Sequence, residues 1–274
     1  MNPPARHRVA RLRMPALLVI GGGLFGSLAA ACARSKGIEA AVFDPGMPGA
    51  ASHAAAGLFK EAWAGRKLAD HFHRAIPLLD GLFGVRNVSL SHVDGSREPF
   101  LFVPPANILE RFPVRESVTA VGDGWLEAGG RRHEGWVYIA AGIWCEQFCT
   151  GLGVYGKAGA AFSFAGEHEG RIEQLEHGRQ AIAFVRDPGT THFSDGTAER
   201  LYGEEHDRAT LARATALGLT AQPSARCFGW RPYVPGGPVF RKLGQRTWLA
   251  TGGRKMGTIL GASFAKRLIE EELR

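Results

Sequence analysis

The stretch PALLVIGGGLFGSLAAACARSKGIEAAVFD, running from Pro15 to Asp44, constrains this chain more than any other part of it. Residues 16–20 form a short unbroken apolar run, as expected of a parallel strand buried on both faces. Gly21, Gly23 and Gly26 follow as G-x-G-x-x-G, and residues 24–36, opened by Leu24 and Phe25, predict a helix closed by Gly37. Residues 39–43 give a second strand that ends at Asp44. In such a unit the first glycine permits a tight turn, the second lets the backbone approach a pyrophosphate, and the third lets helix and strand pack closely. The helix N-terminus favours phosphate charge. Asp44, eighteen positions after Gly26, can accept hydrogen bonds from ribose hydroxyls and disfavours a 2′-phosphate. An ADP-bearing cofactor is implied, which leaves NAD and FAD.

With 274 residues, 45% of them hydrophobic and 22% charged, the chain has the composition of an ordinary globular protein of one large or two interleaved domains. The net charge of +7 raises nucleic-acid or membrane binding, but much of it sits at one end: Arg6, Arg8, Arg11 and Arg13 with His7, and no acidic residue before Glu39. Residues 1–13 are expected to be a basic extension outside the fold, with Met14 beside the first apolar run. Nucleic acid is not the expected partner. No apolar run has the length of a membrane span, and the apolar run after the basic segment opens the glycine motif, so cleavage there would destroy it. Cys32, Cys145, Cys149 and Cys227 show no CxxC pair and suit reduced thiols of a cytoplasmic protein; no metal site is expected.

Further along, residues 68–83 predict an amphipathic helix, residues 88–92 and 99–103 short strands, and residues 116–140 a strand meander that returns to the first sheet. Strand-like alternation recurs between residues 158 and 191, residues 205–217 look helical, and RTWLATGG gives a strand and glycine turn before a helix over about residues 256–273. The expected fold class is α/β, a Rossmann-like cofactor domain with an interleaved, smaller antiparallel-sheet substrate domain. Residues 14–61, 112–150 and 228–274 are assigned to the first, and residues 62–111 and 151–227 to the second.

GAASHAAAGLF, residues 49–59, resembles the segment after the second strand in the D-amino-acid oxidase superfamily of FAD enzymes, glycine oxidases in particular. ESVTAV, VYIAAGIWCEQF, GWRPYVPGGPVF and WLATGGRKMGTILG resemble further segments of that family in the same order. The resemblance implies FAD as cofactor. It places Ser52, His53, Ala55, Ala56 and Gly57 along the pyrophosphate and flavin, Val118 or Val121 at adenine, and Ala141, Gly142 and Trp144 in the family's V-x-A-A-G-x-W segment. Gly252, Gly253, Lys255, Met256, Gly257 and Thr258 fall beside the flavin, where a helix N-terminus can stabilise negative charge.

An amino-acid oxidase must hold a carboxylate and present the Cα hydrogen to the flavin with the amine neutral. Arg231, in G-W-R-P, is the residue the resemblance gives for the carboxylate, and a guanidinium suits it through its planar fork. Lys255 stands where glycine oxidases carry a second cation, with Arg254 next to it. Tyr233, His53 and His192 are candidates for orienting substrate, and Phe184, Phe193 and Tyr202 for walling the pocket. Members of the family are longer, and the shortfall lies at residues 62–118 and 158–219, in the substrate domain; a homo-oligomer or a dehydrogenase partner subunit would complete a trimmed pocket. The expected activity is oxidation of the C–N bond of an amino acid or secondary amine to an imine. Two alternatives stand beside it: a flavin domain acting on a modified tRNA base or bulky amine, and a non-catalytic FAD-binding subunit of a larger dehydrogenase.

Overall fold

A computed structural model describes residues 17–273 of the chain, so the basic segment expected at residues 1–13 lies outside the described residues. The chain opens with β1 (Leu17–Ile20), α1 (Leu24–Ser35) and β2 (Ala40–Phe43). It continues through a 3-10 turn (Ala51–Ala54), β3 (Leu58–Phe59), α2 (Glu61–Phe83), β4 (Arg86–His92), β5 (Arg97–Phe102) and the single turn α3 (Pro105–Ile108). Next come β6 (Val118–Gly122), β7 (Trp125–Ala128), β8 (Arg131–Glu134), β9 (Trp136–Ile139), β10 (Tyr155–Ala165), β11 (Arg171–Gln174), β12 (Gln180–Asp187) and β13 (Thr190–Ser194). The last elements are α4 (Glu204–Ala216), β14 (Ala225–Tyr233), β15 (Val239–Lys242), β16 (Thr247–Thr251) and α5 (Gly257–Arg267).

The first sheet has five strands in the order β15-β16-β9-β1-β2, parallel except for β15. β1 is buried on both sides because its alternate residues serve different layers. Leu17 and Val19 face a core shared with α1, α2 and α5, whereas Leu18 and Ile20 pack with Leu126 and Ala128 of the three-stranded sheet β6-β7-β8. A Cβ on Gly26 would overlap the Gly21 carbonyl oxygen and meet Val19 Cγ1 at 2.8 Å, so glycine is what lets α1 lie against β1.

The second sheet has eight strands, β14-β10-β13-β12-β11-β4-β5-β3. It is antiparallel apart from the β4/β11 pair, which is parallel. One face packs α4 through Phe162, Phe164, Phe193 and Ala214. Leu58, Leu90, Phe102, Ile182 and Phe184 form a separate core on this sheet.

The two halves interleave more than the sequence boundaries allow. The boundary expected at residue 227 falls inside β14, whose nine residues pair with β10, so Arg231 belongs to the second sheet. β3, assigned to the cofactor half, is an edge strand of that same sheet. α2, assigned to the substrate half, instead packs Phe72, Ala75 and Leu79 into the core of α1 and α5, and His71 Nδ1 shares a hydrogen bond of 2.9 Å with Ser263 Oγ of α5. α2 also begins earlier than expected and breaks at Gly65, where φ is +57°, so the regular helix after the break is the amphipathic one. The C-terminal helix ends sooner than expected, at Arg267, and closes in a π turn over Leu268–Glu272.

All four cysteines are free thiols; burial pushes Cys32 up to about 11 and Cys145 up to about 12. Among the described residues, no helix is long and apolar enough to cross a membrane and no cluster of side chains is arranged to hold a metal ion.

Candidate active site

A cavity of about 500 Å³ runs from the glycine turn after β1 to the second sheet, within the range of small-molecule sites. At its first end Asp44 organises the turn: Oδ2 accepts the Gly22 N–H at 2.6 Å and Oδ1 the Gly46 N–H at 2.7 Å. Each carboxylate oxygen keeps a further lone pair for a ribose hydroxyl. Ser27 braces the turn from behind, donating to the Gly22 carbonyl at 2.8 Å and accepting the Glu110 N–H at 2.9 Å. α1 enters from this turn with no acidic residue in its first turn and no side-chain cap from Gly23. Ser52 Oγ accepts the Leu24 N–H at 2.9 Å, which fixes the following loop against the helix start.

These residues fit an ADP-bearing cofactor. The turn offers backbone N–H groups and a positive helix end free of side-chain carboxylate, and Asp44 stands beside it. The cavity continues from there rather than stopping, so its length suits a dinucleotide. A second recess of about 320 Å³ adjoins it at Asp44, Met47 and Ala50, lined also by His53, Arg115 and Arg226.

At the far end the last sheet strand delivers the C-terminal turn. Thr251 Oγ1 donates to the Gly142 carbonyl at 2.9 Å, which joins the end of β16 to the turn after β9. Gly253, Lys255, Met256, Gly257 and Thr258 line the cavity at the start of α5, whose first turn also lacks an acid. Arg254 lines it too, in the left-handed region at φ +47°, with its guanidinium 5.2 Å over the Tyr233 ring.

Arg231 reaches the cavity from β14. Its Nη1 donates to the carbonyls of Gly196 at 3.4 Å and Thr197 at 3.1 Å, which leaves other guanidinium N–H groups without a protein acceptor among the described residues. Desolvation holds its pKa below the usual arginine value. Lys255 stands on the other side of the same segment, its Nζ 3.5 Å from where a Cβ on Gly196 would lie. Burial lowers its pKa, and the charges of Arg231 and Arg179 lower it further.

The segment that holds Arg231 is fixed by Asp195. This buried carboxylate accepts the Thr197 N–H at 2.9 Å and Thr210 Oγ1 at 3.1 Å, and pairs with Arg213 of α4. Burial alone would raise its pKa; the hydrogen bonds from Thr197 and Thr210 and the Arg213 charge outweigh that and lower it. A carboxyl with a depressed folded pKa stabilises the protein above its unfolded pKa, and loses that contribution as the pH falls through the folded value. Asp195→Asn should therefore cost about 1–3 kcal/mol at neutral pH, and the difference from the parent should shrink below about pH 4. Denaturant unfolding of both proteins at pH 7 and pH 3 checks this.

Of the residues expected from sequence, the structure brings Gly21, Leu24, Phe25, Asp44, Ser52, Ala55, Ala56, Gly57, Val118, Ala141, Gly142, Trp144, Gly253, Lys255, Met256, Gly257, Thr258 and Arg231 together around the cavity. Gly23, Gly26 and Gly252 shape the turns without lining it. Val121 packs into the small core beneath the first sheet. His53 is exposed at the second recess. Tyr233 does not line the cavity; it stacks on Tyr155 at 5.5 Å and carries Arg254 on its face. His192 is buried against Phe184 and Arg186 and is pushed down to about 3 by burial, so it is a neutral core residue. Phe184 and Phe193 are core residues and Tyr202 donates to Asp207, so none of the three forms the wall expected of it. The walls are instead Trp63, Phe148, Ile182 and Trp230, with Gln180, Ser194 and Gly196 at the second sheet. Alternation along residues 180–194 shows that two faces exist, but nothing in it says which one meets a cavity.

The family model described as "FAD dependent oxidoreductase" (DAO) matches residues 16–95. No curated protein sequence matches the chain. Among solved structures, iminodiacetate oxidase from Chelativorans sp. BNC1 superposes with a TM-score of 0.71 at 17% identity, over 94% of this chain and 95% of that one. Glycine oxidase from Geobacillus kaustophilus gives 0.69 at 16% identity, over 94% and 95%. L-proline dehydrogenase from P. horikoshii gives 0.68 at 12% identity, over 94% of each. These likenesses establish the fold, and they span both of its halves.

Proposed function

We propose that the chain is a member of the DAO superfamily of FAD-dependent oxidoreductases, whose family model matches residues 16–95, and that it oxidises the C–N bond of an amino acid or related carboxylated amine to an imine, which water then hydrolyses. The observation that carries this reading is Arg231, a desolvated guanidinium that lines the cavity with N–H groups to spare. A planar fork in that state suits a carboxylate, through two parallel charge-assisted hydrogen bonds. Similar folds belong to a glycine oxidase, an iminodiacetate oxidase and an L-proline dehydrogenase, whose named substrates all join a carboxylate to an amine.

FAD, when bound, supplies the two-electron acceptor for the substrate C–H bond. The chain's own residues do the rest. Arg231 anchors the carboxylate and so turns the neighbouring C–H toward the cavity's other wall. Gly253, Met256 and Gly257 present the start of α5, where backbone N–H groups and the helix dipole stabilise negative charge. Trp63, Trp230, Phe148 and Ile182 exclude water around the reacting carbon. Among the described residues, none that lines this end is a histidine or carboxylate, so the amine must arrive neutral, and the proton it sheds passes to solvent.

The test is anaerobic mixing of the flavin-loaded protein with glycine, N-methylglycine, proline, larger amino acids and uncharged amines. Bleaching of the flavin absorbance by carboxylated amines alone is the expected result. Protein that cannot be loaded with FAD, or flavin that no amine bleaches, would overturn it.

A further inference from the structure

The charges around the substrate end of the cavity do not balance. Among the described residues, three cations line it, Arg231, Arg254 and Lys255, and the one lining carboxylate, Asp44, stands at the opposite end beside the glycine turn. Asp195 is near, but its carboxylate is taken up by Thr197, Thr210 and Arg213 on the α4 side. Arg254 is spoken for: it lies over the Tyr233 ring and donates to the Val234 carbonyl at 3.4 Å. Arg231 is held by carbonyls and Lys255 lies at the cavity's exposed edge, and neither pairs with a carboxylate among the described residues. Both abut Gly196, one through its carbonyl oxygen and the other 3.5 Å from its would-be Cβ. Arg179 adds a third charge from β12's approach, its Nη1 3.4 Å from Thr197 Oγ1.

Two like charges held side by side, Arg231 desolvated and Lys255 at the cavity's exposed edge, raise the free energy of the empty site, and a bound anion lowers it. One carboxylate on Arg231 would leave Lys255 uncompensated. We propose that the preferred substrate is an amine bearing two carboxylates, the first held by Arg231 beside the reacting carbon and the second held by Lys255 with Arg179 behind it. This rests on the amine-oxidising function proposed above and narrows it to a substrate class. A lysine serves the second position because a point charge on a flexible stem accepts a carboxylate at varied distance, whereas a fork fixes one geometry. The polar groups of Gln180 and Ser194, also at this end, can share the second carboxylate.

The experiment uses the flavin-loaded protein and reads affinity from the perturbation of the flavin spectrum, and reduction from its anaerobic bleaching. Glutamate is paired with glutamine and norvaline, and N-(2-carboxyethyl)glycine with N-butylglycine. The dicarboxylates are expected to bind at least tenfold more tightly than their neutral isosteres. Lys255→Met should erase that preference, Lys255→Arg should restore most of it, and Arg179→Gln should reduce it several-fold. Equal affinity for both members of each pair, or a Lys255→Met variant that weakens both members equally, would overturn the proposal. If monocarboxylated amines bleach the flavin without any preference for a second carboxylate, this inference falls and the amine-oxidising reading stands. If no amine of either class perturbs or bleaches the flavin, both fall.

Discussion

Arg231→Gln should lower kcat/KM for carboxylated amines by roughly 30- to 5,000-fold, the equivalent of about 2–5 kcal/mol for removing one partner of a desolvated charge pair. The protein should at the same time keep its folded stability. Burial lowers the Arg231 pKa, so the charged form is disfavoured in the folded state and its charge costs stability at neutral pH. Its two acceptors, the carbonyls of Gly196 and Thr197, can still be met in part by a glutamine amide. Arg231→Lys should recover only a fraction of the activity, because a lysine has no fork to offer. Stopped-flow flavin reduction and thermal unfolding of the same samples separate the two effects. A variant that loses stability and activity together would mean that Arg231 braces the fold instead of holding substrate.

The second large effect is expected at the other end of the cavity. Gly26→Val places side-chain atoms where even a Cβ overlaps the Gly21 carbonyl oxygen. Backbone cannot yield as a side-chain tip can, so α1 must move away from β1 and carry the glycine turn with it. Overpacking of this kind costs about 1–3 kcal/mol or more, and the displaced turn no longer presents its N–H groups. The purified variant should be colourless, fail to take up FAD on reconstitution, and melt earlier. Gly81→Ala is the matched control: it sits in α2 with nothing within 4 Å of its would-be Cβ. It should hold FAD and gain up to about 1 kcal/mol from helix propensity.

The β1–α1–β2 unit was legible because every cue for it is local: a run of buried apolar residues, glycines at fixed offsets, and an acid at the strand end. Arg231 and Lys255 were legible only through resemblance, since neither the stiffness of Trp-Arg-Pro nor a lysine after two glycines names a substrate by itself. The location of α2 was not legible. Its amphipathic pattern announces an apolar face, but the partners of Phe72, Ala75 and Leu79 lie far away in sequence on α5. The same limit explains why GWRP was assigned to the cofactor half when β14 pairs along its whole length with β10. Tyr233 and His192 were misplaced for a related reason: a polar aromatic residue near a motif looks available until the residue that stacks on it is known. Asp195 gave no signal at all, because its partners Thr210 and Arg213 are on α4.

β14 is an edge strand of the eight-stranded sheet, and its outer side is met by the loop after β2. The Trp230 N–H donates to the Gly49 carbonyl at 2.8 Å, and Ala50 bridges to Trp230 in parallel. An unpaired strand edge is a template for another chain, and natural sheets keep it covered. The loop that runs along the cavity therefore guards solubility as well. Lengthening it, or placing proline where it bridges β14, would bare the middle of that edge and favour strand addition between copies, with precipitation appearing before any change in the chemistry of the site.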